Sequence, residues 1–176
     1  MYAAANYFDT QGTFRFAASR RPVTVLVRGS VDNPGPVAPP GALSCVPGLK
    51  ARFDLDASAP EGARRAALAA WITSPKNMLA WRSIVNRVWH YHFGAGLVDS
   101  PNDFGRMGSL PSNSELLDWL AVEFRDGGGS FKKLHKLIVM SAVYRQASTG
   151  NAANAKIDGE NRYLWRANRK RLDRSE

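Results

Sequence analysis

The chain is short of cysteine and of long apolar runs. Cys45 is its single cysteine, so no disulfide can form within the chain and no C-x-x-C-H haem attachment is present. A membrane span needs about 20 mainly apolar residues, and the longest candidate, residues 66–72, is short and rich in alanine. The first residues show no basic segment and no apolar segment of a signal peptide. These features exclude a covalent cytochrome within this chain and predict no membrane span.

Acidic residues are scarce relative to basic ones. The 176 residues hold 24 Lys and Arg against 15 Asp and Glu, a net charge of +9. Residues 15–31 carry +4 and residues 156–176 carry +3. Basic flanks fit nucleic acid or another acidic polymer, or else a solvated face that meets an acidic neighbouring domain. Because no groove-reading helix or aromatic stacking string accompanies the charge, nucleic acid is the disfavoured partner.

The distribution of proline predicts the overall architecture. Residues 23–27 form a β-branched and aliphatic run typical of one short strand, and five prolines in residues 32–47 favour extended backbone. Later segments show helical periodicity. We therefore expect a mainly α fold: an irregular bundle of about four to five helices behind an extended, proline-rich N-terminal arm with one short strand. The expected divisions are residues 1–56, 57–150 and 151–176, the last a basic segment that starts further helical structure.

The first two predicted helices have clear boundaries. Helix one should span residues 59–73, with Ser58 as its N-cap. Helix two should begin after Asn77 and end at Gly94 in the left-handed conformation. Its apolar positions recur at i, i+3, i+4, i+7, i+8 and i+11, which is the strongest periodic signal in the chain; they are Trp81, Ile84, Val85, Val88, Trp89 and His92. We expect the tryptophans of helix two to face inward.

Helices three and four are predicted from similar signals. Ser112 followed by Glu115 has the spacing of a capping box, which predicts helix three from there to about residue 125. Ser130 can cap helix four, whose apolar stripe continues to Tyr144.

The densest group of polar side chains lies at the end of helix two and in the loop after it. Asn86, Arg87 and His90 precede this glycine-rich loop, and Asp103 lies within it. These residues are the candidates for a catalytic or ligand site, with Arg87, His90 and Asp103 as candidate catalytic groups. On a helix His90 and His92 point about 200° apart, so they cannot easily share a metal ion. No metal site is therefore predicted, and His92 is expected to be a packing residue.

Familiar catalytic motifs are missing from the sequence. It contains no H-E-x-x-H, no G-x-S-x-G and no G-x-x-x-x-G-K-[ST] string. Asp99 and Asp103 could provide paired carboxylates for glycoside cleavage. The alternative is that these two carboxylates brace the loop by hydrogen bonds to turn amides or to arginines.

Arginines are the second set of candidate ligand-binding residues. They suit bidentate contacts to carboxylate or sulfate; the ones considered are Arg28, Arg87, Arg145, Arg169 and Arg171. The alternative is that they stabilise the fold by pairing with acidic side chains such as Asp118 or with backbone carbonyls. The predicted ligand-binding set is Asn86, Arg87, His90, Arg145 and Arg171.

A series of short strings resembles a known family. The strings are NRVWHYHFGAGLV at 86–98, PNDFG at 101–105, ELLDWL at 115–120, LIVMS at 137–141 and YRQ at 144–146. In this order they are similar to the planctomycete family called domain of unknown function 1553 (DUF1553). The later strings ENR at 160–162 and RLD at 171–173 fit its continuation.

The resemblance implies a setting and leaves the reaction open. Members resemble parts of exported multidomain proteins that are associated with cytochrome c-like modules, so a periplasmic or secreted location is expected. No cofactor is expected within this chain, and any haem would belong to a separate module. The first hypothesis is an accessory module that docks sister domains of the same polypeptide or binds an anionic polysaccharide. The second is a hydrolase or redox-coupled carbohydrate enzyme with its site around Asn86, Arg87, His90 and Asp103.

Overall fold

The structure is a computed structural model that describes residues 7–8, 14–15, 23–56 and 59–169, the first two ranges as backbone only. It has two compact units, residues 1–74 and residues 75–176. Five helices dominate the described residues, so the prediction of a mainly α fold is confirmed. The sequence-based division at residue 56 stays a prediction.

The first unit contains more strands than the single one predicted. β1 (Tyr7–Phe8) pairs antiparallel with β2 (Phe14–Arg15), and β3 (Thr24–Leu26) pairs antiparallel with β4 (Pro34–Val37). The proline-rich stretch was expected to be extended, and residues 34–37 within it form one strand of the second pair. In a two-stranded ladder every strand is an edge strand, where a residue lacking an N–H is tolerated, and this is why β4 can contain prolines.

The first helix begins later than predicted. α1 (Glu61–Ile72) has Pro60 at its N-cap position, with no side-chain cap. The predicted cap, Ser58, lies outside the described residues. At the other end, the Thr73 hydroxyl donates a hydrogen bond to the Ala69 carbonyl at 2.8 Å.

The second unit begins with the helix that the sequence predicts best. In α2 (Met78–Phe93) the Asn77 side chain accepts a hydrogen bond from the Ala80 N–H at 3.3 Å, and Gly94 ends the helix with φ 87°. Both predicted boundaries are confirmed. A left-handed C-terminal residue favours glycine because it has no Cβ to clash with the following carbonyl.

The third helix has a different cap from the one predicted. α3 (Ser114–Asp126) is capped by Asn113, whose side chain accepts from the Leu116 N–H at 2.9 Å. The prediction of Ser112 as the cap was wrong by one residue. The Ser112 N–H instead donates to the Leu97 carbonyl at 2.8 Å, which ties the approach to α3 to the loop after α2.

A corner of three glycines separates α3 from α4 (Phe131–Val139). Gly128 and Gly129 have φ values of 77° and 67°, a region that non-glycine residues rarely adopt. Ser130 caps α4 as predicted. The helix nevertheless ends five residues before Tyr144, because the Ser141 hydroxyl donates to the Ile138 carbonyl at 2.6 Å and accepts from the Tyr144 N–H at 3.2 Å. These side-chain bonds replace helical backbone bonds. A short α5 (Ala152–Ile157) follows.

The core of the second unit lies between α2, α3 and α4. Its buried side chains are Val85, Val88, Trp89, Phe93, Leu97, Val98, Leu117, Leu120, Phe124, Leu134 and Ile138. Trp89 is 4% exposed and stacks on Phe93 with ring centroids 4.2 Å apart. Trp81 packs edge-on against Phe124 at 5.8 Å. The inward placement of the α2 tryptophans is thus confirmed. Among the described residues, no helix has the length and apolarity that crossing a membrane would require.

Candidate functional site

Asn86 is a fully buried clamp on the loop that follows α2. Its Nδ2 donates to the Val98 carbonyl at 2.9 Å, and its Oδ1 accepts from the Val98 N–H at 2.8 Å. A Cβ on Gly96 would lie 2.8 Å from Nδ2 and 2.9 Å from Oδ1 of Asn86. Glycine is therefore needed where the loop passes the amide. Both ends of the Asn86 amide are hydrogen-bonded to the backbone of Val98, so Asn86 has a structural role.

Arg87 of α2 and Asp103 both form hydrogen bonds with residues of the loop that follows α2. Arg87 donates to the side-chain oxygen of Asn102 at 2.8 Å. The Asp103 carboxylate accepts from the Gly105 N–H at 2.8 Å, and its backbone carbonyl accepts from the Ser100 hydroxyl at 2.7 Å. The hypothesis that Asp103 braces the loop through a turn amide is confirmed.

His90 is half-buried near the end of α2. Its Nδ1 is buried without a hydrogen-bond partner, and its ring meets Tyr91 edge-on with centroids 6.0 Å apart. The hydrogen bonds of Asn86, Arg87 and Asp103 go to Val98, Asn102 and Gly105. The described contacts therefore do not bring the four candidates onto one another, and a shared catalytic role stays a prediction.

Of the other candidate arginines, Arg145 is engaged locally and Arg171 lies outside the described residues. Arg145 donates to the Ser141 carbonyl at 3.4 Å, within its own turn. Asp118, expected as an arginine partner, pairs with Arg82 of α2. Arg171 lies outside the described residues, so its predicted ligand role stays a prediction.

One ion pair joins neighbouring residues at the C-terminal end of α3. Arg125 Nε donates to Asp126 Oδ1 at 2.7 Å. This hydrogen bond lowers the pKa of the Asp126 carboxyl and raises the pKa of Arg125. The same guanidinium donates to the Pro75 carbonyl at 3.3 Å and so ties the end of α3 to the segment before α2.

Two histidines that the sequence did not connect meet across the bundle. His92 Nε2 of α2 lies 2.7 Å from His135 Nδ1 of α4. Tyr144 meets the His92 ring edge-on at 5.6 Å between centroids. His92 is therefore a packing residue, as expected, but also half of an imidazole pair. Its partner lies 43 residues away in the sequence, and no local spacing rule reports such a contact.

A pocket of mixed polarity lies beside the loop after α2. Its volume is about 310 Å³, and its charged lining residues are Asp99, Glu160 and Arg162. Asp103 does not line it. The pair Asp99 and Asp103 considered for glycoside cleavage therefore does not face this pocket together.

A larger, apolar groove runs between α3 and α4. Its volume is about 640 Å³ and its surface is almost entirely apolar. We call it the α3–α4 groove; it is lined by Trp89, Leu116, Trp119, Leu120, Lys133, Lys136, Leu137, Ile138, Met140, Ser141 and Val143. Trp119 is 49% exposed and Met140 is 61% exposed. Large apolar side chains thus stay open to solvent in a concave surface, which is typical of a binding site.

The charges on the α3–α4 groove have one sign. Lys133 and Lys136 are its charged lining residues, and both are exposed on α4. The sequence did not predict this groove, because the spacing of Trp119 and Leu137 is that of buried core positions in amphipathic helices. The signal that could have indicated the groove was Met140, an apolar residue that does not belong to the buried side of α4.

A comparison with family models gives a match that covers the whole of the second unit and the last residues of the first. The matching model is described as PSD1, a protein of unknown function (DUF1553), and it covers residues 64–176. No curated protein matches the chain, and no solved structure does. The matched residues include all of α2, α3, α4 and α5 and the α3–α4 groove. Since the match covers well over half of the chain, the protein belongs to the DUF1553 family of unknown function.

Proposed function

We propose that this chain is an accessory docking module that holds a sister domain of the same polypeptide through the α3–α4 groove. The observation that carries the proposal is the combination of Trp119, Leu137 and Met140, all solvent-exposed, with an open groove of about 640 Å³. A monomeric surface rarely leaves such side chains clustered in a concavity unless a partner covers them.

The occupant that fits best is an amphipathic helix of the sister domain. Two packed helices leave a furrow between them, and a third helix can lay its apolar face into such a furrow. Full burial of a large apolar side chain is worth about 1.5–3 kcal/mol. Covering Trp119 and Met140 would therefore provide much of the binding free energy.

The charge on the groove selects the chemistry of the partner. Lys133 and Lys136 border the apolar surface, so carboxylates beside the apolar face of the partner helix would find opposite charges. Exposed ion pairs contribute little affinity but help to set orientation. We therefore infer an acidic amphipathic helix, held mainly by its apolar residues.

The polar candidates support docking better than ligand chemistry. Asn86, Arg87, Asp103 and Arg145 each form hydrogen bonds within the chain. The Asn86 amide has both of its ends bonded to Val98, so a ligand there would have to displace these bonds. The α3–α4 groove needs no such rearrangement to accept a partner.

The setting of the module is part of the same proposal. The family resemblance supports an exported parent polypeptide with a cytochrome c-associated neighbour, in the periplasm or outside the cell. Cell fractionation of the full-length parent protein tests this location, and recovery in the cytoplasm alone would contradict it.

The docking proposal is tested by titrating the chain with the other modules of its parent polypeptide, each expressed separately. We expect one of them to bind and to shift the Trp119 indole N–H resonance. Trp119→Ala and Met140→Asp should each weaken binding at least tenfold, whereas Tyr91→Ala, an exposed aromatic outside the groove, should leave the Kd unchanged. Binding that is insensitive to Trp119→Ala, or no binding by any module, would overturn the proposal.

A further inference from the structure

We propose that His92 and His135 form a binding site for a divalent transition-metal ion that bridges α2 and α4. The site goes beyond the docking function and does not depend on the α3–α4 groove. His92 Nε2 and His135 Nδ1 already face each other at 2.7 Å, with ring centroids 5.0 Å apart. Two imidazole nitrogens from different helices thus lie within hydrogen-bond distance of each other.

The present contact is the kind that a metal ion can replace. In an N–H···N bond one ring donates a hydrogen to the lone pair of the other, so at least the acceptor is neutral. If the donor ring is also neutral, its hydrogen can move to the other nitrogen of that ring through solvent. The two facing nitrogens then both present lone pairs, and no net proton is released.

The required change in the nitrogen–nitrogen separation is small. Zn²⁺–N bonds of about 2.0–2.1 Å at a tetrahedral angle place two ligand nitrogens about 3.3 Å apart. The pair must therefore open by roughly 0.6 Å from its present separation. His135 is exposed on α4, so its ring can move outward without disturbing the buried core.

The surroundings define the class of ion and the strength of binding. Imidazole ligands favour Zn²⁺, Cu²⁺ and Ni²⁺ over Mg²⁺ and Ca²⁺. Among the described residues, no set of three or more His, Cys, Asp or Glu side chains could hold a metal, so water must complete the coordination. Lys132 and Lys136, close in sequence to His135, oppose a cation. We therefore infer a moderate, exchangeable site and not a permanent structural one.

The third histidine of the chain provides the matched control. His90 is also on α2 but lies two residues from His92 and meets Tyr91. Replacement of His90 removes one imidazole, as replacement of His92 or His135 does. Unlike those two changes, it leaves the His92–His135 pair in place. Nonspecific binding to histidine would be weakened similarly by all three changes.

The test is calorimetric titration of the untagged chain with ZnCl₂ and with NiCl₂ at neutral pH. We expect one equivalent to bind, with affinity falling as the pH is lowered because the ligands must be deprotonated. His92→Gln and His135→Gln should each weaken binding at least tenfold, whereas His90→Gln should leave it unchanged. In ¹⁵N spectra of the imidazoles, the metal should shift Nε2 of His92 and Nδ1 of His135.

Three results of the calorimetric titration would overturn the site. They are the lack of any binding to the wild-type chain, binding that survives His135→Gln, and an equal loss of affinity in His90→Gln. His135 is exposed, so His135→Gln is expected to fold, and its circular dichroism spectrum checks this. In the spectra, metal binding that shifts neither Nε2 of His92 nor Nδ1 of His135 would place the metal elsewhere, and the proposal would fail.

Discussion

The side-chain amide of Asn86 satisfies both backbone polar groups of Val98. The two hydrogen bonds measure 2.9 Å and 2.8 Å, and neither Asn86 nor Val98 has more than slight solvent exposure. A loop that leaves a helix must find partners for its buried N–H and C=O groups. In this chain a single side chain from α2 provides both of them.

Replacement of Asn86 by alanine should be strongly destabilising. It leaves a buried N–H and a buried C=O without partners, which costs about 2–4 kcal/mol of unfolding free energy in total. Chemical denaturation measures the loss. Arg87→Ala removes only an exposed hydrogen bond and should cost less than about 1 kcal/mol. Equal losses in the two variants would contradict the clamp.

Gly96→Ala should disturb the same clamp from the opposite side. The added Cβ would clash with the Val98 carbonyl oxygen and crowd the Asn86 amide at 2.8 Å and 2.9 Å. Overpacking of this kind costs about 1–3 kcal/mol. A cosubstitution, Gly96→Ala with Asn86→Ala, should lose less than the sum of the two single changes.

Gly62→Ala is the control for the glycine substitution. Gly62 lies in α1, and nothing lies within 4 Å of its added Cβ. Alanine has the higher helix propensity, by up to about 1 kcal/mol, so this variant should be neutral or more stable. A Tm that falls in Gly62→Ala as far as in Gly96→Ala would show that the clash is not the cause.

Trp119 and Trp89 should differ in their effect on stability, although both line the α3–α4 groove. Trp89 is 4% exposed, so Trp89→Ala should cost about 3–5 kcal/mol. Trp119 is 49% exposed, and we expect Trp119→Ala to cost less than half as much. Urea denaturation of the two variants measures this. A larger loss for Trp119→Ala would mean that this side chain belongs to the core and not to a docking surface.

Acid should remove a stabilising contribution at the end of α3. The hydrogen bond from Arg125 lowers the pKa of Asp126 in the folded state, while the unfolded chain has the ordinary value of about 3.9. Because the folded pKa is the lower one, the contribution is fully present above the ordinary pKa. It is lost as the pH falls through the folded value.

NMR titration of the Asp126 carboxyl carbon measures this shift. In Arg125→Gln the pKa of Asp126 should rise towards its ordinary value, and in Arg82→Gln it should not move, because Arg82 pairs with Asp118. An unchanged Asp126 pKa in Arg125→Gln would contradict the assigned cause.

The sequence predicts the helices where one pattern dominates locally. In α2, six apolar positions agree with the cap at Asn77 and the glycine at position 94, and each of these three signals depends only on near neighbours. The start of α3 shows where local signals are ambiguous. Ser112 and Asn113 can both cap a helix, and in the structure the Asn113 side chain caps α3 while the Ser112 N–H bonds to the Leu97 carbonyl.

The candidate sites were less predictable than the helices. The sequence correctly assigned a bracing role to Asp103, because an Asx turn is a local structure. It could not assign the partner of His135 or the exposed state of Trp119, since both depend on how α2, α3 and α4 pack. The end of α4 depends on bonds made by the Ser141 hydroxyl. The sequence did not predict this end, because the apolar pattern of the helix continues past Ser141.

The glycine corner between α3 and α4 has a consequence for evolution within the family. Gly128 and Gly129 turn the chain from α3 into α4 with φ values of 77° and 67°, and neither residue lines the α3–α4 groove. The residues that make the turn and the residues that line the α3–α4 groove are therefore different positions of the sequence. Substitution of Trp119 or Met140 in a homologue can therefore change which partner binds, while the two glycines and the turn between α3 and α4 stay the same.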